Sequence, residues 1–357
     1  MTAVAHNPVA ARRALRARVT LGFVVGSGAA LATLALALLI GPAPVTLRAV
    51  LQALVRRVGG LAGPLPWQDV VVWSVRFPRA LVGFVVGGGL AISGAALQGL
   101  FRNPLAEPSV LGISSGASLG AVLAIYFHLA GRLVWTLPAC AFAGAAFDAL
   151  VVFAIASRRG RGRVFTGTLL LVGVAIMSLN TSLTTFVLSV SMSSYDVGRQ
   201  VLYWLLGGLE GRTWDHLVLG APPILIGAAF VIAHARELDA LMLGELGAQS
   251  VGIDVPRVRV RLVLATAVIV GASIAVAGPI GFVGLLVPHV IRLAVGPTHR
   301  ALLPLSFLGG GIFLVIADIV ARTLLVGIEI PVGVVTATVG APVFLVLLVR
   351  RRVEVTG

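Results

Sequence analysis

The sequence predicts an all-α, polytopic membrane protein with about ten transmembrane helices. Of its 357 residues, 58% are hydrophobic and only 11% are charged, whereas soluble domains carry about 25% charged residues. Long apolar runs recur along the chain, and each approaches the ~20 residues that a helix needs to cross a bilayer. A chain with so few charges cannot cover a water-facing surface, so we expect it to lie in a membrane.

The apolar runs define a single transmembrane domain over residues 19–352, between an N-terminal tail of residues 1–18 and a C-terminal tail of residues 353–357. The predicted spans are Val19–Ile40, Phe77–Leu100, Ser109–Leu129, Val134–Ala156, Phe165–Val190, Leu217–Ala235, Leu262–Ala277, Val283–Val295, Leu302–Val326 and Val332–Val349. Val283–Val295 is short and contains Pro288, which predicts a broken or partly buried helix. Residues 41–75 are expected to form a long connection, and residues 191–213 a short helix that does not cross.

All 27 basic residues are arginines, and their placement predicts the orientation of the chain. With both termini inside, seventeen arginines fall in cytoplasmic segments and eight in outer segments, as the positive-inside rule requires. This pattern predicts a multi-pass membrane protein with both termini on the cytoplasmic side. The absence of lysine excludes a Walker A phosphate loop, whose lysine contacts the nucleotide phosphates. If ATP drives this protein, a partner subunit binds it.

The longest polar interruption on the predicted cytoplasmic side is residues 236–261, which contain four of the 13 acidic residues. Apolar side chains recur there at helical spacing, which indicates one or two short helices lying against a partner. They are Leu238, Leu241, Met242, Leu246 and Val251. An amphipathic loop on the membrane surface is the alternative interpretation.

Hydroxyl side chains line one face of the fifth span. They are Ser178, Thr181, Ser182, Thr185 and Ser189. An uncharged hydroxyl face suits a translocation pathway through which a large solute slips. Hydrogen bonding of these hydroxyls to their own helix or to a neighbour is an equal alternative.

Charged residues inside the predicted spans are few. Asp318 and Arg322 are four residues apart and so can pair on one helix face. Asp148 is the lone acid of the fourth span. The sequence shows neither a Ser-His-Asp arrangement nor paired carboxylates, and its six histidines and single cysteine, Cys140, are scattered. We therefore expect a non-enzyme without a metal site or bound cofactor, and no nucleic-acid partner.

Several ordered motifs closely resemble the FecCD/BtuC-type permeases, the membrane subunits of ABC importers for ferric siderophores, haem and cobalamin. The resemblance covers nearly everything from residue 70 onward. The motifs lie at Arg76–Arg79, Gly94–Ala117, Tyr203–Gly208, Leu243–Gly252, Gly278–Arg292, Ala317–Arg322 and Pro331–Pro342.

The resemblance implies a type II ABC importer permease fold with ten spans, in the bacterial cytoplasmic (inner) membrane. The two halves are expected to be inverted repeats, as in many transporters. The resemblance also implies a homodimer with the pathway on its axis, two ATPase subunits that bind ATP and Mg²⁺, and a periplasmic or lipid-anchored binding protein. Residues 238–252 would be coupling helices that contact the ATPase. The residues matched to this role are Leu238, Leu241, Leu243, Gly244, Glu245, Ala248, Val251 and Gly252.

The same resemblance implies further roles for residues of the matched motifs. Arg76, Arg79 and Arg322 would face acidic residues of the binding protein, where charge pairs favour orientation and encounter rate. A cytoplasmic gate would be formed by Asn103, Leu105 and Thr166.

The family's breadth makes an iron chelate, a ferric siderophore or haem, the leading substrate expectation. Cobalamin is the alternative within the family, because Tyr203-Trp204-x-x-Gly207-Gly208 and residues 335–338 resemble the cobalamin permease. An alternative of another class is an ion-coupled secondary transporter, for which Asp148 and Asp318 would be the titratable groups.

Overall fold

The computed structural model describes residues 8–59, 66–159, 166–325 and 327–356. These residues are almost entirely helical, and the β-type pairing among them is one isolated bridge between Leu325 and Ile328. The predicted all-α fold class is therefore confirmed.

Fifteen α-helices follow one another in the described residues. They are α1 (Pro8–Leu39), α2 (Leu47–Val58), α3 (Trp67–Val70), α4 (Phe77–Phe101), α5 (Ile113–Tyr126), α6 (Thr136–Arg159), α7 (Thr166–Ser191), α8 (Tyr195–Leu205), α9 (Trp214–Ala233), α10 (Ala235–Leu241), α11 (Glu245–Ser250), α12 (Val255–Ala277), α13 (Val283–Val295), α14 (His299–Thr323) and α15 (Val332–Thr356). A π-helical turn, Val71–Arg76, joins α3 to α4, and a 3-10 turn, Pro108–Leu111, precedes α5.

Ten of these helices are the ten apolar helices predicted from the sequence. Seven described helices are long and apolar enough to cross a membrane, and they belong to α1, α3–α4, α6, α7, α9, α12 and α14. The other three, α5, α13 and α15, are shorter apolar helices. The chain is thus a multi-pass membrane protein.

The segment between α1 and α4 differs from the sequence expectation of a long connection. It contains α2, whose Val50 and Ala53 pack against Leu38 of α1 and Val72. The opposite face of α2 is apolar and exposed at Leu47, Leu51 and Val55. A search for long apolar runs misses such a helix, because it is amphipathic, short and rich in arginine.

The core is built around α4, which packs against α9, α12, α13 and α14. Close approach depends on glycines at the contact points. Gly87 of α4 faces Gly310 of α14, and a side chain on either glycine would collide with the other's carbonyl oxygen. Gly94 of α4 lies against the Gly284 carbonyl of α13 in the same way. Glycine pairs of this kind let membrane helices pack backbone to backbone.

The segments that precede the short helices α5 and α13 are hydrogen-bonded to each other. Glu107, just before the 3-10 turn, accepts a 3.0 Å hydrogen bond from the Phe282 backbone N–H, just before α13. Phe282 has a φ of 68°, which is unusual for a non-glycine residue. A carboxylate at a helix N-terminus is favourable, so Glu107 stabilises the start of α13.

We expect Gly94→Ala to destabilise the protein by about 1–3 kcal/mol, the usual cost of overpacking a tight core contact. The added methyl group would meet the Gly284 carbonyl, which is backbone and cannot rotate away. Thermal unfolding of the purified protein in detergent measures the change. Gly28→Ala on α1 is the matched control, because open space surrounds that position. Equal unfolding temperatures for the two variants would contradict this account of α4 packing.

Candidate functional site

The polar segment predicted to lie against a partner forms two short helices, α10 and α11, and the helical expectation is confirmed. The chain reverses between them at Gly244, with a φ of 94°, and leaves α11 at Gly252, with a φ of 84°. Both values lie in the region that favours glycine, so these two positions require it. The two helices, with their turns, form what we call the coupling segment, residues 235–252.

The coupling segment has a buried face and an exposed apolar face. Leu238, Leu241 and Ala248 are at most 3% exposed and anchor the segment to the body of the protein. The residues on the opposite face form what we call the apolar patch, and they are Met242 (48% exposed), Leu243 (71%), Leu246 (83%) and Val251 (61%). Large apolar side chains this exposed, on a segment rich in charge, indicate a binding surface.

Burial therefore divides the residues that the sequence grouped together as contacts to a partner. Leu243 and Val251 lie on the exposed face, whereas Leu238, Leu241 and Ala248 pack inward and cannot touch a partner. The part of these three residues in coupling stays a prediction, and their burial assigns them to the face that anchors the segment. Helical spacing alone does not say which face of a two-helix segment is covered.

One ion pair and one pair of hydrogen bonds join the coupling segment to different core helices. Glu245, the first residue of α11, pairs at 2.6 Å with Arg259 of α12, whose side chain is only 8% exposed. Asp239 of α10 accepts hydrogen bonds from the backbone N–H and the Nδ1 of His299, at 2.7 and 2.8 Å. His299 is the first residue of α14, so each helix of the segment has its own polar link to the core.

The arginines predicted to face a binding protein lie at the other end of α4 and α14. Arg79 of α4 makes a bidentate pair with Asp318 of α14, with N–O distances of 2.8 to 3.1 Å. It also donates to Glu329 at 2.9 Å. Arg322 lies 3.7 Å from Asp318 and donates to the Ala37 carbonyl of α1 at 2.7 Å. The expected pair of Asp318 and Arg322 is present, but Arg79 is the closer partner.

Arg76 has a different set of partners, all at the end of α1. Its guanidinium donates to the carbonyls of Leu38, Leu39 and Ala43. Helix C-termini leave carbonyls without intrahelical partners, and a cation there is favourable.

All three predicted docking arginines are buried, at 3% exposure for Arg76, 6% for Arg79 and 5% for Arg322. Each guanidinium already has partners within the chain. Their docking to acidic residues of a binding protein stays a prediction, and in the single chain these arginines are bonded internally. A sequence motif does not reveal burial, and buried arginines must be paired.

A cavity of about 270 Å³ opens beside this cluster. Its lining includes Arg79, Tyr203, Glu210, Arg212 and Glu329. Burial lowers the pKa of Arg212 to about 10, and the charge of Arg79 acts in the same direction. Because that pKa is still well above neutral, Arg212 stays positively charged at physiological pH.

The predicted pathway hydroxyls lie on an exposed face of α7 in the single chain. Ser178, Thr181, Ser182, Thr185 and Ser189 are all exposed, although α7 is long and apolar enough to cross a membrane. Ser178, Ser182 and Thr185 also donate to carbonyls of their own helix four residues back. The intrahelical hydrogen bonds of the alternative interpretation are therefore present, and the pathway role of this face stays a prediction.

The predicted gate residues lie in the loop after α4 and at the start of α7. The Asn103 side chain accepts a 2.9 Å hydrogen bond from the Leu105 N–H, which fixes the turn, and Leu105 is 44% exposed. Thr166 begins α7, and its side chain lies outside the described residues.

The two acids considered for ion coupling are buried and already bonded. Asp148 of α6 accepts a hydrogen bond from Asn180 of α7, and Asp318 is held by Arg79 and Arg322. The two acids thus have different partners. Among the described residues no group of three or more His, Cys, Asp or Glu side chains is placed to hold a metal ion.

Residues 29–350 match the FecCD transport family. This chain belongs to that family. It is 43% identical over 348 residues to the cobalamin import system permease protein BtuC of Halobacterium salinarum, covering 88% of this chain and 92% of the relative. It is also 43% identical to the vitamin B12 import system permease proteins BtuC of Salmonella typhi and Escherichia coli. Those alignments cover 79% and 80% of this chain, and 84% and 86% of the relatives.

The fold of this FecCD-family chain also matches a solved structure, that of an ABC transporter of metal-chelate type in an inward-facing conformation. The TM-score is 0.81 at 29% identity, with 93% of this chain and 99% of the other covered. The chain is therefore an ABC importer permease with the type II fold that the resemblance implied. Among its substrate expectations, the comparisons favour cobalamin, the alternative, over the iron chelate.

Proposed function

We propose that this chain is the permease subunit of an ATP-driven cobalamin importer. The observation that carries the proposal is the 43% identity, over 88% of the chain, to a relative named as a cobalamin import permease. The same identity to enterobacterial vitamin B12 permeases supports it from a distant lineage. Transport would proceed by alternating access, with energy supplied by separate ATPase subunits that bind ATP and Mg²⁺.

The apolar patch is the surface we propose for the ATPase subunit. Met242, Leu243, Leu246 and Val251 form a compact exposed face, and Glu245 lies among them with its side chain 55% exposed. An apolar anchor with charges at its rim is the usual anatomy of a protein–protein interface. This assignment puts the coupling segment and both termini on the cytoplasmic side of the inner membrane.

A homodimer would place the exposed hydroxyl face of α7 against its copy around a central pathway. Hydroxyls that bond their own helix carbonyls present little polarity to a passing solute, which suits a large molecule that must not bind tightly. Asn103, Leu105 and Thr166 would close the cytoplasmic end of this pathway. Exposure of Ser178, Thr181 and Ser182 in the single chain supports the arrangement.

The binding protein would dock at the opposite end, beside the Arg79 cavity. Because Arg79 and Asp318 are almost fully buried, an incoming carboxylate can replace only the partly exposed Glu329 without unpairing a buried charge. Glu329, whose side chain is 29% exposed, therefore competes with the partner for Arg79.

We expect Glu329→Gln to strengthen binding-protein attachment by on the order of 1 kcal/mol, roughly a fivefold lower Kd. The substitution removes the competing charge and leaves Arg79 paired to Asp318. Titration of the purified binding protein onto the reconstituted transporter gives the Kd at low and moderate salt. Asp196→Asn, at an exposed acid lining a neighbouring cavity, is the control. A weaker attachment in Glu329→Gln would show that Glu329 itself serves docking.

An iron chelate is the second candidate substrate, because the structural match is to a transporter of metal-chelate type. Stimulation of ATP hydrolysis distinguishes the candidates. The complete complex is offered a binding protein loaded with cobalamin, a ferric siderophore or haem, one at a time. We expect stimulation by cobalamin; stimulation by the siderophore or haem alone would transfer the assignment to the iron chelate.

A further inference from the structure

The contact between the coupling segment and α14 includes two hydrogen bonds between one pair of residues. One carboxylate oxygen of Asp239 accepts from both the backbone N–H and the Nδ1 of His299, at 2.7 and 2.8 Å. His299 is 1% exposed, and the Asp239 side chain is 31% exposed. Hydrogen bonds to an ionised acceptor are stronger than neutral ones, and the His299 side of this contact is shielded from water.

The other side of the His299 ring lies against α4. Its Nε2 is buried without a hydrogen-bond partner among the described residues and lies against Gly99. A methyl group at position 99 would collide with that nitrogen. The imidazole therefore sits between the carboxylate of α10 and the backbone of α4, and it connects three helices.

The two helices that meet at His299 stay together along their length. Gly87 and Gly310 bring α4 and α14 into backbone contact, and Phe307 of α14 lies over Gly88. At the far end the pair is fastened again by Arg79 and Asp318. A helix of 25 residues such as α14 spans roughly 37 Å. Helix α14 therefore connects His299 at one end to Asp318, the partner of Arg79, near the other.

We infer that Asp239 and His299, with Gly99 making room for the ring, are positioning residues that carry the motion of the coupling segment into α4 and α14 as one unit. The inference rests on the proposed function, because it needs an ATPase to move the coupling segment. It assigns α10 to this route and leaves α11 tied to α12 through Glu245 and Arg259. Coupling through a packed, hydrogen-bonded chain must be demonstrated by energetic coupling, not by proximity.

The first test is a double-mutant cycle on the complete, reconstituted importer. Substrate transported per ATP hydrolysed is measured for Asp239→Ala, His299→Ala and the double variant. We expect each single variant to lose roughly tenfold in transport per ATP, with basal hydrolysis and ATPase binding nearly unchanged. The double variant should be no worse than either single variant, because one contact has been removed in all three. Additive losses, or an unchanged ratio, would overturn the inference.

His299→Ala leaves a void where the ring was, so two further variants test the contact without creating that void. His299→Asn retains a donor toward Asp239 and should recover part of the ratio, whereas Gly99→Ala displaces the ring and should lose it. His234→Ala is the matched control, since that ring bonds the Phe230 carbonyl of its own helix. A Gly99→Ala protein with the wild-type ratio, or a His234→Ala protein with the same loss, would contradict the assignment.

A distance measurement tests the rigid connection without altering it. Spin labels at Glu237 of α10 and the exposed Arg300 of α14 are placed in a Cys140→Ala background. We expect the same distance with and without ATP, and a shifted or broadened distribution in Asp239→Ala. A shift on ATP addition in the otherwise unaltered protein would overturn the inference. If the unaltered importer shows no ATP-dependent uptake at all, the proposed function fails instead.

Discussion

Glu245→Arg is expected to reduce ATP-dependent uptake by tenfold or more in an importer that still assembles. In the native protein Glu245 pairs at 2.6 Å with the buried guanidinium of Arg259. The substitution places two like charges at that contact, which frees α11 from α12 and changes the charge beside the apolar patch. ATP hydrolysis should continue, since its machinery lies on the partner, but its motion should no longer reach α12. Uptake and hydrolysis measured on the same proteoliposomes give the ratio.

A charge-exchange variant distinguishes loss of the ion pair from any other effect of changing Glu245 or Arg259 singly. Glu245→Arg combined with Arg259→Glu restores opposite charges and should recover part of the lost uptake. Arg257→Ala is the matched control, because it breaks an ion pair with Asp254 in which both side chains are well exposed, 77% and 47%. Exposed pairs of this kind contribute little. Unchanged uptake in Glu245→Arg with assembly intact would remove Glu245 from the coupling route.

Asp318→Ala is expected to lower the free energy of unfolding by about 3–5 kcal/mol, the usual result of removing one partner of a buried ion pair. Asp318 is 1% exposed and lies between the guanidiniums of Arg79 and Arg322. Without it, two buried cations face each other, and Glu329 alone can compensate Arg79 from the edge of the cluster. Thermal or denaturant unfolding of the detergent-solubilised protein measures the loss.

The matched comparison for Asp318→Ala is Glu329→Gln, which removes the other acidic partner of Arg79. Glu329 is partly exposed, and Arg79 keeps its bidentate pair, so the change in unfolding temperature should be small. A loss in Glu329→Gln as large as that in Asp318→Ala would mean that the buried pair is not the centre of the cluster.

The helical architecture was predictable because each bilayer-spanning helix requires a long run of apolar residues, which is visible in the sequence. Apolar runs located all ten apolar helices, and the bounds of α13, Val283–Val295, were predicted to the residue. The α10–α11 turn depends on Gly244, since only glycine readily adopts its backbone conformation. The amphipathic α2 was missed because its apolar residues alternate with arginines over only 12 residues.

The site contacts were less predictable, since they join residues far apart in the chain. Arg79 and Asp318 are 239 residues apart, and Asp239 and His299 are 60 apart, so no local spacing indicates either pair. Resemblance identified the three arginines of the cluster but not their burial, which depends on how α1 packs over them. The substrate also could not be predicted from the pathway residues, because an uncharged hydroxyl face is compatible with many solutes.

The most direct test of the account is accumulation of labelled cobalamin in proteoliposomes that contain this chain, its ATPase subunits and its binding protein. We predict accumulation against a concentration gradient. It should require ATP on the side of the membrane that carries the ATPase subunits, and the binding protein on the opposite side. Accumulation driven by an ion gradient without ATP would contradict the account and would make Asp148 and Asp318 the groups to test.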